Sequence, residues 1–302
     1  MRRAGGAVLG PPFDVNGAAT RRRGAACLPP VFVLTAVLLA PAPAAAAEPE
    51  AEPGVFRACL LEDDAPRAHR AAGRGFDLEV MAAIAAQAGA RFEPVWSPSR
   101  SGFSEIETTD LPLGRLARGE CDAVGSVPGV ASLGRLRDAI ELVRPYYGAA
   151  FELVASGALP GRLESLAGRR VGVQLQSFAH LAAQALELDW RARPSPAETL
   201  DLLDRGEVDA ALVWGPALGP LGRGAHPEWS PPRALRWNEH VAVRRGSPWR
   251  DTIDRALERI VASGEIERLA RAHGIPARAP FATTSDNSAL AELRAEQAVA
   301  QR

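Results

Sequence analysis

The 302-residue sequence predicts an α/β fold of two similar lobes, each a mostly parallel sheet flanked by helices. Two observations predict it. Strand-like and helix-like segments alternate along the chain, as they do in parallel sheets with helices on their faces. A short phrase behind a helix also occurs twice, as Gly119-Glu120-Cys121-Asp122-Ala123 and Gly206-Glu207-Val208-Asp209-Ala210. With 47% hydrophobic and 24% charged residues, the chain is long enough to bury two modest cores.

Residues 1–47 stand outside this pattern. Arg21, Arg22 and Arg23 precede the apolar run 31–40, and the alanines 44–47 follow it, which is the three-part layout of a cleaved secretory leader. The run is too short to span a bilayer. Cys27 precedes it, so it does not read as a lipid-modified cysteine. Residues 48–54 are a Pro/Glu/Ala-rich lead-in. Removing 1–47 takes five arginines and one aspartate from the 35 basic and 36 acidic groups and leaves a net charge of about −5. Every basic side chain is arginine. A mildly acidic chain without a basic face does not suit nucleic acid, whose counterions a cluster of cations must displace.

In the first lobe, 55–61 has the length and apolar content of a strand, and 62–70 is polar. Phe76, Val80, Ile84 and Ala88 repeat at helical spacing up to Gly89. Residues 92–96 alternate as a strand, 111–118 form a short helix ended by Gly119, and 122–127 a third strand. The second lobe repeats the order with strand 170–174, helix 180–188, short strand 192–194, helix 197–205 and strand 208–214. Residues 146–155 and 238–244 are strands able to cross between lobes. One helix follows, with Ile253, Leu257, Ile260, Val261, Ile266 and Leu269 on one face, and stops at His273-Gly274. Lobe 1 is then 55–148 plus 238–276, lobe 2 is 149–237, and 277–302 is an exposed C-terminal extension. Cys59 and Cys121 remain after the leader, as either a disulfide or two buried thiols.

Six phrases in order carry a resemblance. They are Gly73-Arg74-Gly75-Phe76-Asp77-Leu78-Glu79-Val80, residues 116–124, Arg144-Pro145-Tyr146-Tyr147, the Leu-x-x-Leu-x-Gly-x-x-Val-Gly-Val pattern within 163–174, residues 206–211, and Ser263-Gly264-Glu265-Ile266-Glu267-Arg268-Leu269. Together they resemble bacterial extracellular solute-binding protein family 3, of the type II periplasmic binding protein fold, over most of 55–281. The Trp214-Gly215-Pro216 phrase, Cys59, Cys121-Asp122 and the stretch 96–103 are similar to a subgroup associated with periplasmic quinoprotein alcohol dehydrogenases. The first-strand signature of that subgroup is poorly kept at 60–66.

The resemblance implies a monomeric, non-enzymatic periplasmic protein that closes on a small polar or aromatic solute and hands it to an ABC transporter permease. The alternative partner is a quinoprotein dehydrogenase or its cytochrome, and a dehydratase on the same fold is a third reading. No cofactor or metal is called for, although Glu62, Asp63, Asp64 and His69 are a metal-capable run more in keeping with a strand end that is solvated or contacts a ligand. The resemblance places an arginine before Pro145-Tyr146 on a ligand carboxylate, and Arg135 and Arg137 both lie near that position. It also places an aspartate after the second-lobe Asp-Ala strand, against the ligand ammonium. Trp214 stands there instead, as either cleft wall or core, which disfavours ordinary α-amino acids. The expected site joins Glu62, Ser126 and Arg137 (or Arg135) to Gln176, Ser177 and Trp214 across a hinge near Ala149 and Trp237. In the strand order this fold implies, the first and third strands are neighbours, which predicts a Cys59–Cys121 disulfide.

Overall fold

The computed structural model describes residues 54–99, 110–157, 159–286, 288–289, 291–293 and 295. The leader expected at 1–47 lies outside the described residues. Among those described, no helix is long and apolar enough to cross a membrane.

The chain begins with β1 (Val55–Leu61), a two-residue ladder of β2 (Asp63–Asp64) with β3 (Ala68–His69), α1 (Phe76–Gln87), β4 (Arg91–Ser97), α2 (Pro112–Ala117) and β5 (Ala123–Val127). The 16-residue strand β6 (Ile140–Ala155) leads into β7 (Arg170–Gln174), α3 (Phe178–Ala185), β8 (Asp189–Arg193), α4 (Pro196–Asp204) and β9 (Ala210–Trp214). Finally come β10 (Arg236–Arg244), α5 (Arg250–Ala262) and α6 (Glu265–Ala272).

Eight strands form one sheet in the order β4-β1-β5-β10-β6-β9-β7-β8. Both outer trios are parallel, β4-β1-β5 at one end and β8-β7-β9 at the other. Between them, β10 and β6 run antiparallel to each other and to their outer neighbours. The long strand β6 serves both halves. Residues up to Ala150 pair with β10, and Phe151 to Ala155 pair with β9. Two-lobed α/β organisation therefore arises from one strand that changes partners partway along.

Each half buries apolar side chains on both sheet faces. In the first, Phe56, Val80, Met81, Ile84, Val241 and Leu257 pack one face, while Leu116, Val124, Leu133 and Ala242 pack the other. The second half has the same division, with Leu153, Val171, Val173 and Leu212 against one face and Leu200, Leu203 and Val213 against the other. The repeated phrase has a repeated job. Asp122 Oδ2 accepts the backbone N–H of Arg57 at 2.8 Å, and Asp209 Oδ2 that of Arg170 at 2.9 Å. Each aspartate also donates its own N–H to that arginine's carbonyl at 2.8 Å, tying the third strand of its half to the start of the first.

Cys59 and Cys121 are joined by a disulfide that closes a separation of 62 residues, with Cα atoms 5.7 Å apart. The bond spans neighbouring strands, since Cys59 on β1 pairs with Val124 on β5.

Two expectations need correction. The single helix over 253–273 is two, because Gly264 takes a left-handed φ of 75° and turns the chain between α5 and α6. The apolar face runs on across the turn, so periodicity did not register the break. The polar stretch 62–70, assigned no element from the sequence, folds into the β2–β3 ladder. The tail is not simply exposed either: Ala289 and Leu293 are buried in the second half's core, and 276–286 lies along the crossing strands. Gly148 N–H donates to the Arg278 carbonyl at 3.1 Å, and Asn238 exchanges two bonds with the Phe281 backbone at 2.7 and 2.8 Å. Arg278 grips Glu152 through two nitrogens, each at 2.6 Å, and Glu152 is only 1% exposed.

Candidate ligand-binding site

A cavity of about 470 Å³ lies where the two halves meet. Strand ends bound it on both sides, as expected for ligands of open parallel sheets. Its first-half lining includes Asp64, Arg67, Asp77, Ser126 and Pro128, with Glu239 from β10. The opposite wall is aromatic and made of Phe151, Phe178, Trp214 and Trp237. Those rings pack on one another, with centroids 5.3 Å apart for Phe151–Trp214, 4.8 Å for Phe178–Trp237 and 5.9 Å for Trp214–Trp237.

Local structure sets each polar group. The N-terminus of α1 abuts the turn after β2: the Asp77 N–H donates to the Arg67 carbonyl at 2.8 Å and the Phe76 N–H to that of Pro66 at 2.9 Å. Gly75 permits this approach, because a Cβ there would lie 2.4 Å from the Arg67 oxygen. Arg67 then faces Glu239, donating from Nη1 to Oε2 at 3.0 Å and from Nη2 to Oε1 in a two-pronged pair. Glu239 is 1% exposed and Asp77 6%. Asp77 Oδ2 lies 3.7 Å from Arg67 Nη1, an ion pair longer than a hydrogen bond.

Ser126 ties the cluster together from the end of β5, at a left-handed φ of 54°. Its Oγ is 2.6 Å from Asp77 Oδ1, 2.9 Å from Glu239 Oε2 and 3.1 Å from the Tyr146 hydroxyl, which also accepts the Ser126 N–H at 3.0 Å. One hydroxyl carries one proton and cannot donate to two carboxylates. A proton on Asp77 resolves this: Asp77 donates to Ser126, and Ser126 donates to Glu239. Burial, partly countered by Arg67 and reinforced by Glu239, pushes the Asp77 carboxyl up to about 7. Burial likewise raises Asp64, again with Arg67 opposing and Glu239 adding. Around Arg67, burial works against the charge, but Glu239 and Asp77 more than offset it and hold the guanidinium protonated. Burial raises the Tyr146 hydroxyl as well and keeps it neutral.

Of the residues singled out in the sequence, Ser126 and Trp214 line this cavity, as does Asp64 of the acidic run. Arg135 lines an adjoining space that shares Leu61, Pro112, Val124, Gly125, Ser126 and Pro128 with it. Four others do not line it. Glu62 faces Arg70 at 3.6 Å, and Arg137 is exposed and donates to the Gly134 carbonyl at 3.1 Å. Gln176 is exposed, and Ser177 caps α3, accepting the His180 N–H at 3.2 Å and donating to the Gln174 carbonyl at 2.7 Å. Among the described residues no group of three or more His, Cys, Asp or Glu side chains is placed to hold a metal ion.

Arg67, Asp77, Phe151, Phe178 and Glu239 were not singled out, and Trp237 was expected at the hinge, not in the lining. Two of them carried a signal: Asp77 shares a helical face with Val80, Met81 and Ile84, and Glu239 alternates in phase with Val241 and Val243. A carboxylate on an apolar stripe marks a buried polar site.

No protein-family model matches the sequence, and no curated protein matches it. Solved structures do. The L-cystine solute receptor of Neisseria gonorrhoeae, in its unliganded open conformation, is 20% identical with a TM-score of 0.60, over 74% of this chain and 94% of that one. The second substrate-binding domain of GlnP from Lactococcus lactis, also open, is 16% identical with a TM-score of 0.58, over 76% and 98%. At such identity the likeness speaks for architecture alone, and the chain has the two-lobed fold of periplasmic binding proteins.

Proposed function

We propose that the protein is an exported solute-binding protein that captures a small molecule between its two lobes and delivers it to an ABC-type transporter. The cavity carries this reading. It has the size of a small-molecule site, and neither half completes it alone. Polar groups on one side and aromatic faces on the other suit a ligand with a polar head and an apolar body. The lining does not suggest catalysis, because the Ser126 hydroxyl donates to Glu239, whose charge Arg67 already neutralises, so no free base among its described contacts activates it.

A ligand touching both halves stabilises the protein by its affinity for the form in which they meet. A thermal-shift screen of small polar and aromatic solutes, with small-angle scattering on any hit, tests this. The expected result is a hit that raises Tm and compacts the chain, and that weakens at least tenfold in Trp214→Ala. A hit indifferent to Trp214→Ala and Ser126→Ala places binding elsewhere. A broad library without a hit favours the accessory role beside a quinoprotein dehydrogenase.

A further inference from the structure

We infer that the captured solute is a small organic cation, a protonated amine on an apolar or aromatic body, and that it carries no carboxylate. This rests on the interlobe site proposed above and concerns its charge selectivity.

The argument is an inventory of donors and acceptors. Among the described residues the cavity lining holds three carboxyl groups, Asp64, Asp77 and Glu239, and one cation, Arg67. Arg67 is consumed by Glu239, which takes a hydrogen bond from each of its terminal nitrogens. The Ser126 hydroxyl is committed to the carboxyl groups, and its backbone N–H to Tyr146. Among the described residues of this lining a ligand carboxylate would therefore find no free cation, Arg135 lining only the adjoining space, and it would face the Asp64 carboxyl in a partly desolvated setting. Acceptors remain open. Among the described residues none donates a hydrogen bond to the Asp64 side chain, and Asp77 Oδ2 has only the distant Arg67 nitrogen at 3.7 Å. An ammonium, with three donors and one positive charge, supplies what both lack. Burial raises the pKa of both groups, as expected of carboxyls short of positive partners.

The far wall supports the same class. Trp214, Trp237 and the 44% exposed Phe178 line the cavity with aromatic rings, a residue type whose negative quadrupole attracts a cation and whose area receives an apolar body. The second half contributes Phe151, Phe178 and Trp214 to the described lining, so the negative charge of this cavity comes from the first half and β10.

The test uses three probes that share a phenylethyl body: phenethylamine, 3-phenylpropionate and 2-phenylethanol. Titration calorimetry on the full chain near pH 7.5 is expected to show phenethylamine binding at least tenfold more tightly than the other two. Asp64→Asn is expected to erase most of that preference while leaving 2-phenylethanol unchanged, and Trp214→Ala to weaken all three. Binding of 3-phenylpropionate as tight as that of the amine overturns the inference while leaving the interlobe site standing. So does an amine preference that survives intact in Asp64→Asn. If no probe binds and native mass spectrometry of the exported protein finds no co-purifying small molecule, the solute-binding reading falls, and this inference with it.

Discussion

The two halves share a plan and differ at the edge where they face each other. Both have three outer parallel strands, helices on both faces, and an aspartate that takes the backbone N–H at the start of the first strand. At the cavity one half offers Asp64, Arg67, Asp77 and Ser126, and the other Phe151, Phe178 and Trp214. The framework is duplicated and the facing edges are not. What recognises a ligand is therefore a set of side chains carried on strand ends and turns, separable from the sheet that bears them. The halves are also fastened differently. A disulfide closes the first, and the C-terminal segment docks on the second.

The largest expected effect concerns that difference in fastening. Replacing Cys59 and Cys121 together by Ser should cost about 4 kcal/mol, the chain-entropy value for a 62-residue separation. Urea unfolding reads the loss. Two alkylated cysteines in the unreduced exported protein would show that the first half holds without the bond.

The matching break in the second half is Arg278→Ala, which strands the buried Glu152 and should cost about 3 kcal/mol. Adding Glu152→Gln should recover part of that. If the single and double variants melt together, the pair contributes packing, not charge compensation.

The duplicated aspartates sharpen the comparison further. The Asp122 side chain is 4% exposed and that of Asp209 34%. Asp122→Ala should cost about 2 kcal/mol, because it leaves the Arg57 N–H unsatisfied in the interior. Water can replace the partner of Arg170, so Asp209→Ala should cost at most about 1 kcal/mol. Equal losses would mean that burial does not distinguish the two copies.

The remaining effect is spread over pH. Asp77 ionises at about 7 in the folded protein against an ordinary 3.8. Between those values the folded state holds a proton that the unfolded state has released. Its contribution to stability is therefore full below about pH 4 and is lost as pH rises through 7. Asp64, Arg67, Glu239 and Tyr146 face the same space and remain in the Asp77→Asn variant, which should lose this component of the slope. An unchanged Tm-against-pH profile between pH 5 and 8 would remove Asp77 as its source.

The fold was legible because it rests on local periodicity. Strand and helix runs and the twice-used Gly-acid-x-Asp-Ala phrase need only neighbours in sequence. Where the chain departed from expectation, the cause was not local: a turn at Gly264 under a continuous apolar face, and a tail whose few apolar residues gain meaning only against the second half's core. The candidate site divides in the same way. Ser126 and Trp214 could be read from their places at strand ends. Arg67 could not, because its partner Glu239 lies 172 residues away and nothing beside it announces the pairing. Arginines near Pro145 drew attention by analogy, yet Arg137 bonds within its own loop. Ser177, similarly, is occupied as a helix cap.

The C-terminal segment changes what kind of joint connects the halves. Two strands crossing side by side leave one body free to bend and to twist against the other. Here a third length of chain runs with them, bonded to β6 at Gly148 and to β10 at Asn238, and anchored beyond them by Ala289 and Leu293. Twisting would have to strain all of these bonds at once, whereas bending can spread the same displacement over several small dihedral changes. The tail therefore acts as a guide rail. If the lobes close on a ligand as proposed, it would narrow the paths between open and closed arrangements without setting which is favoured, and that balance would stay with the groups lining the cavity.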